Sequence, residues 1–139
     1  MFKRILVPVD FTQKNRAALE TACLLAADSQ SCVILLHVIE KIDYLPANEL
    51  KIFYRDLQNR AREKLNVTAS LIAEQDVRVQ QKLVRGHRVR AILEFARKRK
   101  IDLIVMSSHK IDLKKPAQGW GTISYRVAIL SQCPVLLVK

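Results

Sequence analysis

The chain has 139 residues, half of them hydrophobic and 27% charged, which suits one globular domain with a single buried core. No apolar run approaches the roughly 20 residues of a membrane span, so a transmembrane role is excluded. The formal net charge of +11 is one-sided: residues 1–77 balance ten Lys/Arg against ten Asp/Glu, whereas residues 78–139 set fourteen Lys/Arg against Glu94, Asp102 and Asp112. Such a half either faces an anionic partner (phosphates, nucleic acid or an acidic protein surface) or is a solvated face that keeps the protein soluble.

The N-terminus, MFKRILVPVD, goes straight into a strand-like run and has no secretion signal, so a cytoplasmic protein is expected. Residues 4–9 are apolar at nearly every position, as in a parallel strand covered on both faces. Pro8 is tolerable near its end, and Asp10 follows. Thr12 is placed to cap a helix in which Ala18, Leu19, Ala22, Cys23 and Ala26 recur at helical spacing. Residues 32–39 form a second apolar strand, interrupted by His37, which reads as a core histidine bonded to backbone.

A loop over 40–48 contains Pro46. Leu50, Tyr54, Leu57, Ala61, Leu65, Thr68 and Ile72 then step by three or four, predicting a helix over about 48–74. Val77, Val79, Leu83 and Val84 mark a third strand, whose opening alternation suits a sheet edge. Gly86 ends it. Val89, Ile92, Leu93 and Ala96 share one face of a helix over 87–100, and the cations at 97–100 fall in its last turn, where they complement the helix dipole. Residues 102–106 are a fourth strand. Residues 122–130 are a fourth helix with Ile123, Val127 and Leu130 inward, and 134–138 are a fifth strand. Cys23, Cys32 and Cys133 lack C-x-x-C spacing and read as buried free thiols rather than metal ligands.

This alternation of strands and helices predicts an α/β fold, a doubly wound parallel sheet with helices on both faces. In such sheets ligands bind outside the carboxyl ends of the strands, where strand order reverses. Periodicity does not give that order. It does give the residues at carboxyl ends: Asp10, Val38 to Glu40, Arg85 with Gly86, and Ser107 to Lys110.

The stretch 101–122, IDLIVMSSHKIDLKKPAQGWGT, carries the clearest chemistry. A strand stops at Ser107 and Ser108, and a loop with Lys110, Lys114 and Lys115 follows. Gly119 and Gly121 come next, and a helix starts at Thr122. That order leaves backbone N–H groups free for an anion. Asp10 can accept hydrogen bonds from a ribose or a base edge, and Val9, Val38 and Met106 can line an adenine slot. The glycines allow close backbone approach or a positive φ. Thr122 can cap the helix and donate to a phosphate, and the lysines supply mobile positive charge. The candidate nucleotide-binding set is Pro8, Val9, Asp10, Val38, Met106, Ser107, His109, Lys110, Gly119, Gly121, Thr122 and Ile123. The sequence offers no paired carboxylates, no metal-ligand cluster and no Walker lysine, so no catalytic or metal residue is assigned.

Over essentially its whole length the chain resembles the universal stress proteins. The resemblance rests on ILVPVDFT at 5–12, VILLHVI at 33–39, VRG at 84–86, DLIVMSSHK at 102–110 and the GT…CPVLLVK of 121–139. It implies a single domain with a five-stranded parallel sheet of order 3-2-1-4-5 and four helices, of the adenine-nucleotide alpha-hydrolase-like kind. That order would bring Asp10 near Ser107 to Lys110. It also implies a homodimer through the last strand, residues 134–138, a role in stress response or signalling with some protein partner, and, in many members, bound ATP or another adenine nucleotide with magnesium. The family's nucleotide signature is G-x2-G-x9-G-[ST]. Gly121 and Thr122 supply its end, but Ser107 and Lys110 replace its first two glycines, and ten residues, not nine, separate Lys110 from Gly121. The alternative is therefore a dimeric interaction protein of the same family that binds no nucleotide.

Two other readings are weaker. A hydrolase built on Ser107 or Ser108 with His109 lacks G-x-S-x-G, and neighbouring residues rarely reach nucleophile–base geometry. Slow ATP hydrolysis would have no evident base. Specific nucleic-acid binding by the basic half lacks both aromatics and a reading motif.

Overall fold

The computed structural model describes residues 1–42, 44 and 46–139. Asp43 and Leu45, inside the loop predicted over 40–48, lie outside the described residues. The elements are β1 (Arg4–Pro8), α1 (Asn15–Ser29), β2 (Cys32–Glu40), α2 (Ala47–Ala73), β3 (Arg78–Gly86), α3 (Arg88–Lys98), β4 (Leu103–Ser107), α4 (Ile123–Leu130) and β5 (Val135–Val138). A 3-10 turn at Pro116–Gly119 precedes α4.

All strand pairs are parallel, and the sheet order is β3-β2-β1-β4-β5. The chain starts at the centre, builds outward to β3, then returns to the other side of β1 for β4. Their carboxyl ends therefore diverge in connection, which opens a crevice. The register sets Ile5 opposite both Val33 and Leu103. The Asp102 carboxylate fixes it further, accepting from Lys3 N (2.8 Å) and Arg4 N (3.0 Å).

Side chains alternate between two cores because a strand points successive residues to opposite faces. Ile5, Val7, Val33, Leu35 and Val105 meet Ala18 and Ala22 of α1 and Leu65 and Ile72 of α2. Leu6, Ile34, Leu36, Ile104 and Met106 meet Ile92 and Ala96 of α3 and Val127 of α4. Each fully buried aliphatic side chain contributes about 1.5–3 kcal/mol, which is why the strands read as unbroken apolar runs. β3 is the edge strand its alternation suggested, with exposed Arg78, Gln80 and Gln81.

Three expectations are corrected. Thr12 does not cap α1, which begins at Asn15 with no side-chain cap. The Thr12 hydroxyl donates instead to the nearer, charged Asp10 carboxylate at 2.7 Å. Leu130 is 58% exposed: it ends a helix of only eight residues and borders an open cleft beside Arg97 and Gln132. Of the cysteines only Cys23 is buried; Cys32 and Cys133 are half-buried, and all three are free thiols.

Candidate functional site

At the carboxyl ends of β1, β2 and β4 lies a hollow of about 240 Å³. The first turns of α3 and α4 close its far side through Arg88, Ile92, Thr122, Ile123 and Ser124. Its floor is apolar: Val9, Val38 and Met106 are all buried. The polar groups sit above them.

The turn from β1 into α1 is shaped by Asn15, which is 5% exposed. Its Oδ1 accepts from Asp10 N (2.8 Å) and Phe11 N (3.1 Å), and its Nδ2 donates to Ser107 Oγ (3.2 Å). One amide thus folds the turn and ties it to β4. Phe11 takes φ 65°, a region that bulky side chains rarely enter. The Asn15 bond holds it there, and its ring lies 4.4 Å from that of His37.

Burial works to raise the Asp10 pKa, but hydrogen bonds from the Thr12 hydroxyl and amide, with the Arg88 guanidinium nearby, outweigh it; the net shift is downward. Asp10 is therefore a carboxylate, an acceptor-only group, at neutral pH. His37 is shifted downward, chiefly by burial, with Arg88 and Lys64 adding to that and the Val9 carbonyl and Asp10 opposing it. Its Nδ1 donates to Val9 O at 2.8 Å, which is the backbone-bonded role its sequence position suggested. It also forms part of the hollow's wall.

At the other lip, Thr122 caps α4. Its hydroxyl accepts from Tyr125 N (3.2 Å) and donates to Gly119 O (2.8 Å). No protein acceptor is described for the amides of Ile123 and Ser124, the first two of the helix, which face an anion-friendly end. Ser124 Oγ, Ser108 Oγ and Lys139 Nζ form a chain at 3.4 and 3.2 Å. Across the mouth, Lys14 Nζ lies 3.2 Å from His109 Nδ1.

Of the sequence-derived set, Pro8, Val9, Asp10, Val38, Met106, Ser107, His109, Thr122 and Ile123 come together around the hollow. Lys110, Gly119 and Gly121 do not line it. The glycines were expected to allow close backbone approach or a positive φ, and neither has a positive φ; nor does Lys110, so its side chain is unstrained there. Gly119 serves close packing instead: a Cβ built on it would lie 2.5 Å from Ile111 Cδ1. Gly121 faces open space. Lys110, Lys114 and Lys115 are exposed outside the hollow.

Lys14, Asn15, Arg88 and Ser124 were missed, and Ser108 was placed at the strand end but left out of the set. Asn15, five residues after a strand-end aspartate, was the one with a local signal, since Asn favours side-chain-to-backbone turns. The serines do not engage His109: Ser107 takes Asn15, and Ser108 takes Ser124 and Lys139. Among the described residues, no cluster of three His, Cys, Asp or Glu could hold a metal, and no helix is long and apolar enough to cross a membrane.

The model of the universal stress protein family matches residues 1–139. Universal stress protein YxiE of Bacillus subtilis is 28% identical over 149 residues, covering all of both chains. The solved structure of MJ0577, from Methanocaldococcus jannaschii, superposes with a TM-score of 0.76 at 28% identity, covering 100% of this chain and 96% of that one. Two more distant structures share the fold. One is a universal stress protein in complex with cAMP (TM-score 0.79, 19% identity, 99% and 97% covered). The other is the Archaeoglobus fulgidus protein in complex with dAMP (TM-score 0.73, 18% identity, 99% and 98% covered).

Proposed function

The chain belongs to the universal stress protein family, and we propose that it holds an adenine nucleotide in the hollow between β1 and β4 as a stress-response or signalling module. The observation that carries this reading is the meeting of an apolar floor, the Asp10 carboxylate and the free first amides of α4 in one crevice. The base lies on Val9, Val38 and Met106, and Asp10 accepts from the ribose hydroxyls. The relatives solved with cAMP and dAMP support the ligand class.

The departures from the glycine signature shift the phosphate contacts rather than removing them. The hollow's 240 Å³ lies below the usual range for drug-sized ligands. A nucleoside fills it, and the phosphate sits at the mouth. There Lys14 and His109 supply side-chain donors, with the amides of Ile123 and Ser124. Asp10 is the one carboxylate among the described lining residues, so magnesium accompanying a polyphosphate would draw its other ligands from phosphate and water.

The test is nucleotide release on denaturation of the purified protein, together with thermal melts in AMP, cAMP and ATP. A ligand at a hundred times its Kd stabilises by about 2.7 kcal/mol. Asp10→Ala removes that stabilisation. No release and no shift with any of the three would overturn the reading.

β5 favours a second element of the proposal, self-association. It is an edge strand, and Leu136 on it, like Ile129 and Leu130 of α4, is exposed. Light scattering on the protein and on Leu136→Glu checks it: a monomer in both would remove the dimer.

A further inference from the structure

We propose a second site: a cationic groove at the start of α2 that takes an acidic peptide segment of a protein partner, anchored by an aliphatic side chain. The groove holds about 610 Å³ and is lined by residues from the chain after β2, the first turns of α2 and the end of β3. It is separate from the nucleotide hollow and shares no lining residue with it.

Four cations border this groove, Lys41, Lys51, Arg55 and Arg85, and no carboxylate lines it among the described residues. The chain's two described ion pairs, Arg16–Glu20 and Arg88–Glu40, involve none of the four. Like charges gathered round one concavity repel one another, and an anionic occupant relieves that repulsion. One of the cations is already oriented. The Arg85 guanidinium lies 3.9 Å from the centre of the Tyr54 ring, and the Tyr54 hydroxyl accepts from Ile42 N. A planar guanidinium held on a buried aromatic is preorganised for a bidentate carboxylate.

The apolar part selects among anionic partners. Ile42, Leu50 and Ile52 offer an aliphatic surface between the cations. A single-stranded nucleic acid gains affinity by stacking its bases on open aromatic faces, but the one aromatic among the described lining residues, Tyr54, is 4% exposed and its ring is covered by Arg85. A flat anionic bilayer would meet the cations at the rim and leave the concavity unfilled. A peptide alternating carboxylate and aliphatic residues meets both the rim and the floor, as in other Arg-cluster recognition of acidic motifs.

The experiment is fluorescence polarisation of the full chain with a labelled peptide alternating glutamate and leucine. The expected result is saturable binding, lost at least tenfold in Lys51→Glu/Arg55→Glu and kept in Arg97→Glu/Lys98→Glu, which reverses equal charge outside the groove. A glutamate–serine peptide should bind more weakly, which reads the aliphatic anchor. All four substituted residues are exposed, so unchanged melting curves verify the fold. Equal loss in both double variants, no binding, or binding at the groove only by anionic vesicles or an oligonucleotide would each overturn the proposal. Lys41→Ala/Arg85→Ala, whose lost charges are not reversed, provides an independent second variant.

Discussion

Replacing Asn15 by leucine tests how the site's first turn is held. Leucine keeps the branched outline at a somewhat larger volume and removes every side-chain hydrogen bond. Two backbone amides, of Asp10 and Phe11, lose their shared acceptor, and Ser107 Oγ loses a donor. A partly buried group left without a partner costs about 1–3 kcal/mol. Both amides make part-buried bonds and share the loss, and Phe11 also sits at φ 65°. Left-handed backbone costs about 1–2 kcal/mol for an ordinary residue and persists only where neighbours enforce it. That strain is already present in the parent, so the cost is the lost hydrogen bonds alone, about 2–4 kcal/mol. For a chain of this size about 1 kcal/mol moves the melting temperature by about 3–4 °C, so Asn15→Leu should melt about 6–16 °C below the parent. Asn15→Asp keeps the acceptor for both amides but loses the donor to Ser107 and places a charge at a buried position near Asp10, and should fall between the parent and leucine. Thermal and urea unfolding measure both. Equal losses in the two variants, or a loss under about 0.5 kcal/mol for leucine, would refute the claim that Asn15 Oδ1 holds the turn.

Other outcomes follow from the same geometry. Gly121→Ala should be neutral to slightly stabilising, because open space surrounds the position and its φ is not positive, whereas Gly119→Ala should cost about 1 kcal/mol as Ile111 is pushed aside; paired urea curves separate them. His37 has a lowered pKa when folded, so the unfolded chain takes up the proton first. The stability this contributes is complete above about pH 6.5 and declines as pH falls from there toward the folded value; His37→Asn, whose amide can still donate to Val9 O, should flatten that slope in denaturant melts at successive pH values. For Asp10, lowered from 3.8, the contribution is complete above that value and is lost as pH falls through the folded one; Thr12→Val, lacking the hydroxyl donor, should move the carboxyl's NMR titration upward. Lys14→Ala should weaken AMP several-fold and leave adenosine unchanged in calorimetry, which separates a phosphate contact from a general effect on the hollow.

The strands and the two cores were legible because a strand covered on both faces needs apolar residues at successive positions, and 4–9, 32–39 and 102–106 have them. The edge position of β3 showed in its exposed alternate residues. Strand order came from the family resemblance, since local pattern carries no information about which strands pair. What stayed hidden depends on contacts distant in sequence. Asn15 reaches Ser107 across 92 positions, and nothing near Phe11 announces a left-handed backbone, which its own sterics oppose. The glycines were read only in part for a similar reason: close approach held at Gly119, and a positive φ at neither. Their conformational freedom is visible in sequence, but the use of Gly119 depends on where Ile111 lands. The Thr12 cap failed because a charged acceptor two residues away competes for the same hydroxyl.

The fit of Ile111 on Gly119 bears on how a ligand would arrive. It pins the middle of the segment between β4 and α4, whose ends are already held by Ser108 N on Val138 O and by the Thr122 cap. A strap fastened at three points has little slack to lose. Association should then resemble two finished surfaces meeting: one kinetic phase, with a rate that climbs in proportion to concentration and shows no ceiling set by a slow rearrangement.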